Sequence, residues 1–313
     1  MCAATQQGPS GAQSQALFHR TGDGLSGAAE KGPGPGINDS MTNDVPVDQW
    51  PLFIDHWALL LCFLEFLMFD LAAGLGVQSY CFRGFQALPD LIGQIKGLGL
   101  DRTELCRVHV DFDNQAGFEG ALAQFRAAGV AITSIGVQMF RGQPAEESWF
   151  RFAQAAGCRM ISMTFDLKAL PGVIPATEKL AEKYDMPLGI HNHGGYNWLG
   201  SLDMVTHVLG NTGPRVGLCL DTAWAIQSGE DALKWAEKLQ PRLFGVHVKD
   251  FTFDRAGKWT DVVVGTGSLK LKELLALAVA APQIKTITLE YEGDVANPAP
   301  ALKECVAAVR RCA

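Results

Sequence analysis

Four short stretches in the second half of the chain place imidazoles and carboxylates at the spacing of extended strands. They are His191-Asn192-His193-Gly194-Gly195, Cys219-Leu220-Asp221-Thr222, Val246-His247-Val248-Lys249-Asp250 and Leu289-Glu290-Tyr291-Glu292-Gly293-Asp294. Residues two apart share a face of a strand. His191 and His193, His247 and Lys249, and Glu290 and Glu292 therefore point one way, while Ile190, Leu220, Val246 and Leu289 point the other. Buried groups of the first set need partners or a metal, because an unpaired buried charge costs several kcal/mol. Mixed nitrogen and oxygen donors suit a divalent ion such as Zn²⁺ or Mn²⁺. Such an ion acidifies a C–H beside a carbonyl and stabilises the enediolate left behind. Glu290 or His193 would move the proton. Return to the neighbouring carbon is aldose–ketose isomerisation; return to the opposite face is epimerisation. The residues alone leave open whether His191 or His193 is the ligand. They also leave open whether Lys249 neutralises charge on a substrate or serves as counter-ion to Asp221 and Glu290.

Groups on four different strands converge only if the strands lie side by side, and the rest of the sequence supplies that frame. Strand-like runs at 75–82, 105–112, 130–139, 158–165, 187–193, 216–222, 243–248 and 284–291 alternate with helical patterns at 118–128, 145–156, 175–184, 201–209, 231–239, 268–280 and 300–311. This alternation predicts βαβ units and a parallel sheet. Eight units over about 240 residues match an α/β fold of the closed (β/α)8 TIM-barrel type, here spanning residues 75–313. An open doubly wound sheet would carry a glycine fingerprint after its first strand; Cys81-Phe82-Arg83-Gly84-Phe85 is not one. In a barrel, chemistry sits at the C-terminal ends of the strands. That rule adds Gln138 after the third strand and Asp166 after the fourth as substrate contacts, with His109 and Asp111 at the end of the second as lesser pocket candidates. Trp224 and Trp198 are candidates to wall the pocket and stack on a sugar's C–H face. Gly265, Gly267 and Ser268 form either a tight turn capped by Ser268 or a set of backbone N–H groups facing a phosphate or carboxylate.

Composition narrows the partners. The 313 residues carry a net charge of −7, and no Lys/Arg cluster interrupts the acidic balance. A nucleic-acid partner is thus excluded as an expectation. The eight cysteines form no C-x-x-C pair, and several sit in apolar runs. This usage points to free thiols, no zinc knuckle, and a reducing, cytoplasmic setting. Residues 1–56 are rich in Gly, Ser, Gln, Asn and Pro without hydrophobic periodicity, which predicts a disordered or non-native extension. Residues 57–74 hold an apolar segment, 57–69, interrupted only by Glu65. It is too short to span a bilayer, which takes ~20 residues, and reads as a helix packed on the barrel, an uncleaved anchor, or sequence upstream of a start at Met68.

At the strand ends the chain resembles the xylose isomerase-like TIM-barrel superfamily of sugar (phosphate) isomerases and epimerases. The matching pieces are HNHGG, LDTAW, GVHVKDF, VVVGTGSLKLKELL and TLEYEGD. The resemblance covers most of 75–313 and is sharpest after Pro187. It implies one divalent ion (Mn²⁺, Zn²⁺ or Co²⁺, with Mg²⁺ as a further option) on His191, Asp221, His247 and Glu290; the catalytic candidates Glu290, His193 and Lys249 come from the strand ends themselves. It also implies a small sugar or sugar derivative as partner, and dimers or tetramers as assemblies. Epimerase members place Glu where this chain has His191, so a shuttle between two glutamates is not built here. A metal-dependent lyase or dehydratase acting on a keto-sugar or keto-inositol is therefore the alternative. The multi-zinc branch has His where this chain has Trp224, which argues against a trinuclear cluster. A non-catalytic sugar-binding barrel is a third reading, disfavoured because a sugar binder needs no Asp221–His247–Glu290 constellation.

Overall fold

Parallel strands covered on both faces read as continuous apolar runs, and Val216–Asp221 and Leu243–Val248 are buried along their whole length. The computed structural model describes residues 69–312. The expectations for 1–56, for the apolar residues up to 68 and for a start at Met68 lie outside that range. Of the 57–74 segment, Phe69 is described, together with one helical turn, Leu71–Gly74. That turn is capped by Asp70, whose carboxylate accepts the Ala73 N–H at 2.9 Å.

The strands are β1 (Leu75–Gln78), β2 (Arg102–Leu105), β3 (Ala131–Phe140), β4 (Met160–Phe165), β5 (Leu188–His191), β6 (Val216–Asp221), β7 (Leu243–Val248), β8 (Asp250–Phe253), β9 (Trp259–Val262) and β10 (Thr286–Leu289). Eight of them close a parallel barrel in the order β1-β10-β7-β6-β5-β4-β3-β2, and β8 and β9 form a separate antiparallel hairpin. The expected (β/α)8 TIM barrel is the architecture observed.

Helices return the chain between strands, and their ends follow local chemistry. Leu88–Gly97 starts with Pro89 in its first turn and buries Leu91, Ile92 and Ile95 against the sheet. Leu202–Gly210 is capped by the Ser201 hydroxyl, which accepts the Met204 N–H at 3.3 Å. Ile190, Leu220, Val246 and Leu289, expected on the helix-facing side, all belong to the main core and are fully buried. A smaller buried cluster of Met160, Cys219 and Phe244 packs beside them. Gly245 fits there because a Cβ would lie only 3.0 Å from the Cys219 Sγ and 3.1 Å from the Met160 methyl.

The second strand departs from expectation. It runs from Arg102 to Leu105, not over 105–112. The alternating segment Leu105-Cys106-Arg107-Val108-His109-Val110 imitates a strand, but its residues beyond Leu105 form turns. The true strand carries two polar residues, Thr103 and Glu104, both fully buried. Thr103 returns its hydroxyl to the Val77 carbonyl at 2.8 Å. His109 and Asp111 accordingly lie in a loop. His109 rests 3.3 Å from the Phe82 carbonyl, and Asp111 pairs with Arg107 at 3.7 Å.

Candidate metal centre at the barrel mouth

Neighbouring strand ends bring the four residues to one depth. Asp221 on β6 pairs in register with His247 on β7, and β10 places Thr288 opposite His247, so Glu290 emerges just above it. His191 ends β5 beside Cys219. Asn192 then locks the two strands: its amide accepts the Asp221 N–H at 2.8 Å and donates to the Asp221 carbonyl at 2.9 Å. Asp221 also caps the helix Thr222–Gln227, its Oδ1 accepting the Trp224 N–H at 2.9 Å. Only Oδ2 is left to face the centre.

One ligand atom from each of His191, Asp221, His247 and Glu290 lies within 4.8 Å of the others. His191 Nε2 is 3.5 Å from an Asp221 carboxylate oxygen, and His247 Nδ1 is 2.7 Å from a Glu290 oxygen. Despite these approaches, His191 Nε2, Asp221 Oδ2, both His247 nitrogens and Glu290 Oε2 are buried without a well-directed hydrogen-bond partner. His247 Nε2 faces Glu104 behind the ring, but the other four atoms, one from each residue, converge, and such a cluster is costly unless a cation satisfies it. The donor set of two imidazoles and two carboxylates fits a divalent ion.

The charge around the centre is arranged in layers. Beneath His247, and missed in the sequence, lies Glu104 of β2. It is fully buried, 3.1 Å from His247 Nε2, and accepts from Gln78 Nε2 and Ser134 Oγ, each at 2.6 Å. Gly136 makes room for it, since a Cβ there would sit 2.8 Å from a Glu104 oxygen. Burial alone would lower His247, but the Cys219 thiol and the Glu104 carboxylate carry it well above the ordinary histidine value. Burial would likewise raise Glu290, yet Lys249 and His247 hold it well below the usual carboxylate range. Lys249, itself fully buried, pairs with Glu290 at 3.4 Å and with Glu292. Burial opposes its charge, but Glu290, Asp221 and Glu292 outweigh that and raise it above an ordinary lysine.

A cavity of about 480 Å³ opens beside this cluster, and His191, His193, Trp224, Glu290 and Glu292 line one side of it. His193 lies flat on Trp224, with ring centroids 4.1 Å apart and planes at 26°. Burial lowers its pKa below the ordinary histidine value, which leaves a neutral imidazole facing the cavity at pH 7. Trp224 is held from behind by the β8–β9 hairpin, meeting Phe251 at 5.0 Å and Trp259 at 5.2 Å.

Three residues expected at substrate lie elsewhere. Trp198 spends its indole N–H on the Phe165 carbonyl at 3.1 Å. Asp166 caps its own turn through the Lys168 N–H and pairs with Arg141 at 3.1 Å. A register shift between Ile135 and Gln138 breaks the alternation of β3, so Val137 and Met139 line the cavity while Gln138 is buried outside its lining. The 265–268 turn does present backbone N–H groups to a carboxylate, one of its two expected forms, but the carboxylate is internal. Its N–H groups are taken by the chain's own Asp250, whose carboxylate accepts from Gly265, Gly267, Ser268 and Leu269 at 2.8–2.9 Å. Ser268 caps no helix, because the next one begins at Leu271.

Among the described residues no helix is long and apolar enough to cross a membrane. The family model for the xylose isomerase-like TIM barrel matches residues 96–312. No curated protein matches the chain in sequence. Solved structures match in fold. A xylose isomerase-like TIM barrel protein from Mycobacterium smegmatis in complex with magnesium is 15% identical, with TM-score 0.65, covering 78% of this chain and 98% of that one. The probable 3-DHS dehydratase involved in petrobactin synthesis from Bacillus anthracis is 16% identical, with TM-score 0.60 and coverage of 76% and 98%. The 3-keto-D-glucoside 4-epimerase from E. coli is 16% identical, with TM-score 0.58 and coverage of 76% and 99%. At these identities the likeness is one of fold.

Proposed function

The chain belongs to the xylose isomerase-like TIM-barrel family, and from that membership we propose a divalent-metal-dependent isomerase or epimerase acting on a carbonyl-bearing sugar or sugar derivative. The observation that carries this reading is the convergence of orphaned atoms from His191, Asp221, His247 and Glu290 beside an open cavity. Those four residues would hold the ion. When bound, a divalent ion supplies Lewis acidity, polarising the substrate carbonyl and lowering the pKa of the adjacent C–H.

The chain's own groups do the rest. Glu290, kept ionised by Lys249 and His247, is the carboxylate placed to take or return a proton at the substrate carbon. His193, neutral and fixed on Trp224, is the second proton carrier facing the same cavity. Lys249 is committed to Glu290 and Glu292, so its role is to keep those carboxylates charged and in place. Trp224 offers its indole to the C–H face of a ring.

One observation favours a second reading. The fifth strand delivers the imidazole of His191 where a second carboxylate would complete a symmetric shuttle. Abstraction by one base with loss of a β-hydroxyl would make the protein a dehydratase, the activity named for the B. anthracis neighbour. Proton NMR in D₂O with the Mn²⁺-loaded protein and a panel of keto-sugars separates the two. Deuterium uptake beside the carbonyl without loss of water supports isomerisation or epimerisation. Accumulation of an enone supports elimination, and neither product from any ketone contradicts both.

A further inference from the structure

Across the barrel mouth from the candidate metal centre, the ends of β1 to β3 expose apolar side chains to the cavity. Tyr80 after β1, Val108 after β2, and Val137 and Met139 of β3 are 36%, 40%, 39% and 43% exposed, and all four line this one cavity. Ten large hydrophobic side chains are exposed among the described residues; four of them on one cavity wall is a patch, whereas singly scattered apolar residues are ordinary surface.

Among the described residues, the same cavity has no free cation for a phosphate. Arg107, the one Lys or Arg among the described lining residues, is paired with Asp113 at 2.6 Å and Asp111 at 3.7 Å. Lys249 is buried against Glu290 and Glu292. Arg83, which stacks on Tyr80, donates to the Tyr80 and Glu292 carbonyls. The glycine turn at 265–268, whose N–H groups would suit an anion, already holds the Asp250 carboxylate. Glu290 and Glu292, which line the same cavity, offer a dianionic substrate no donor.

Resting on the proposed function, we infer that the substrate is an uncharged keto-sugar bearing an apolar substituent, and not a sugar phosphate. The ring carbonyl faces His191 and Glu290, while the substituent lies on Tyr80, Val108, Val137 and Met139. The apolar contact contributes binding by removing surface from water.

The test uses the full chain loaded with Mn²⁺ and three probes: D-fructose, D-fructose 6-phosphate, and a phenyl glucoside oxidised to a ring ketone. Calorimetry gives the dissociation constants, and NMR in D₂O follows exchange beside the carbonyl. The phenyl ketone is expected to bind at least about tenfold tighter than either fructose, a ratio in reach of one apolar contact. Met139→Asp and, independently, Val108→Asp are expected to abolish that preference. Equal or tighter binding of the phosphate overturns the inference, as does binding of none of the three or a preference unmoved in both folded variants. Failure of the underlying reading looks different: the phenyl ketone is preferred in binding, yet no probe exchanges.

Discussion

The two halves of the barrel mouth are built from the same βα unit and present opposite surfaces. Strands β5, β6, β7 and β10 deliver His191, Asp221, His247 and Glu290, with Lys249 and Glu292 behind them. Strands β1 to β3 deliver Tyr80, Val108, Val137 and Met139. One half concentrates charged groups and buried polar atoms left without a hydrogen-bond partner; the other exposes hydrocarbon. The contrast separates the labour of a site: a charged half can act on a reacting bond, whereas an apolar half can only select what is brought to it. Glu104 crosses that division, since it belongs to β2 yet reaches beneath His247.

The contrast is broken most forcefully from the charged side. Glu290→Gln is expected to lower the rate of carbonyl-linked deuterium exchange by about a thousandfold, through loss of both a ligand and a proton carrier. Met139→Ala should act mainly on KM. A fall in kcat for Met139→Ala as deep as that for Glu290→Gln would erase the distinction between the halves.

Glu104→Gln sharpens the boundary. A carboxylate behind a ligating imidazole sets its tautomer and basicity, and its loss costs 10–100-fold in metal affinity as an order of magnitude. Chelator competition reads this without reference to turnover. An unchanged metal dissociation constant would make β2 a contributor of shape alone.

The smallest expected effect concerns the hairpin that roofs the charged half. Burial, then Glu292, pushes Asp261 up from 3.8 to about 7, against the pull of Lys249. The folded chain therefore keeps a proton that the unfolded chain gives up. The corresponding stability is present in full below pH 3.8 and is lost as pH rises toward about 7. Asp261→Asn should flatten the decline in urea midpoint across that window; an unaltered slope would show that Asp261 titrates normally.

The charged half was the legible one. Its four convergent residues sit at the ends of apolar runs, where a strand's alternation carries straight into the motif, as in Val246-His247-Val248-Lys249. The apolar half was read less well for two physical reasons. Buried polar residues such as Thr103 and Glu104 make a true barrel strand look like a loop, and the adjacent 105–112 segment alternates like a strand without being one. The irregularity in β3 reverses which residues face the mouth, exchanging Gln138 for Val137 and Met139. The hairpin β8–β9 was absent from the reading because Phe251, Phe253 and Trp259 lie in a stretch with no turn signal stronger than Gly257.

The proposed function stands on His191, Asp221, His247 and Glu290 holding one divalent ion. Elemental analysis of the purified chain after incubation with Mn²⁺, Co²⁺ or Zn²⁺, beside folded His247→Ala and Asp221→Ala variants, tests it most directly. About one tightly held ion per wild-type chain is expected, lost in both variants. A wild-type chain that remains free of metal, or variants that retain the ion, would contradict it.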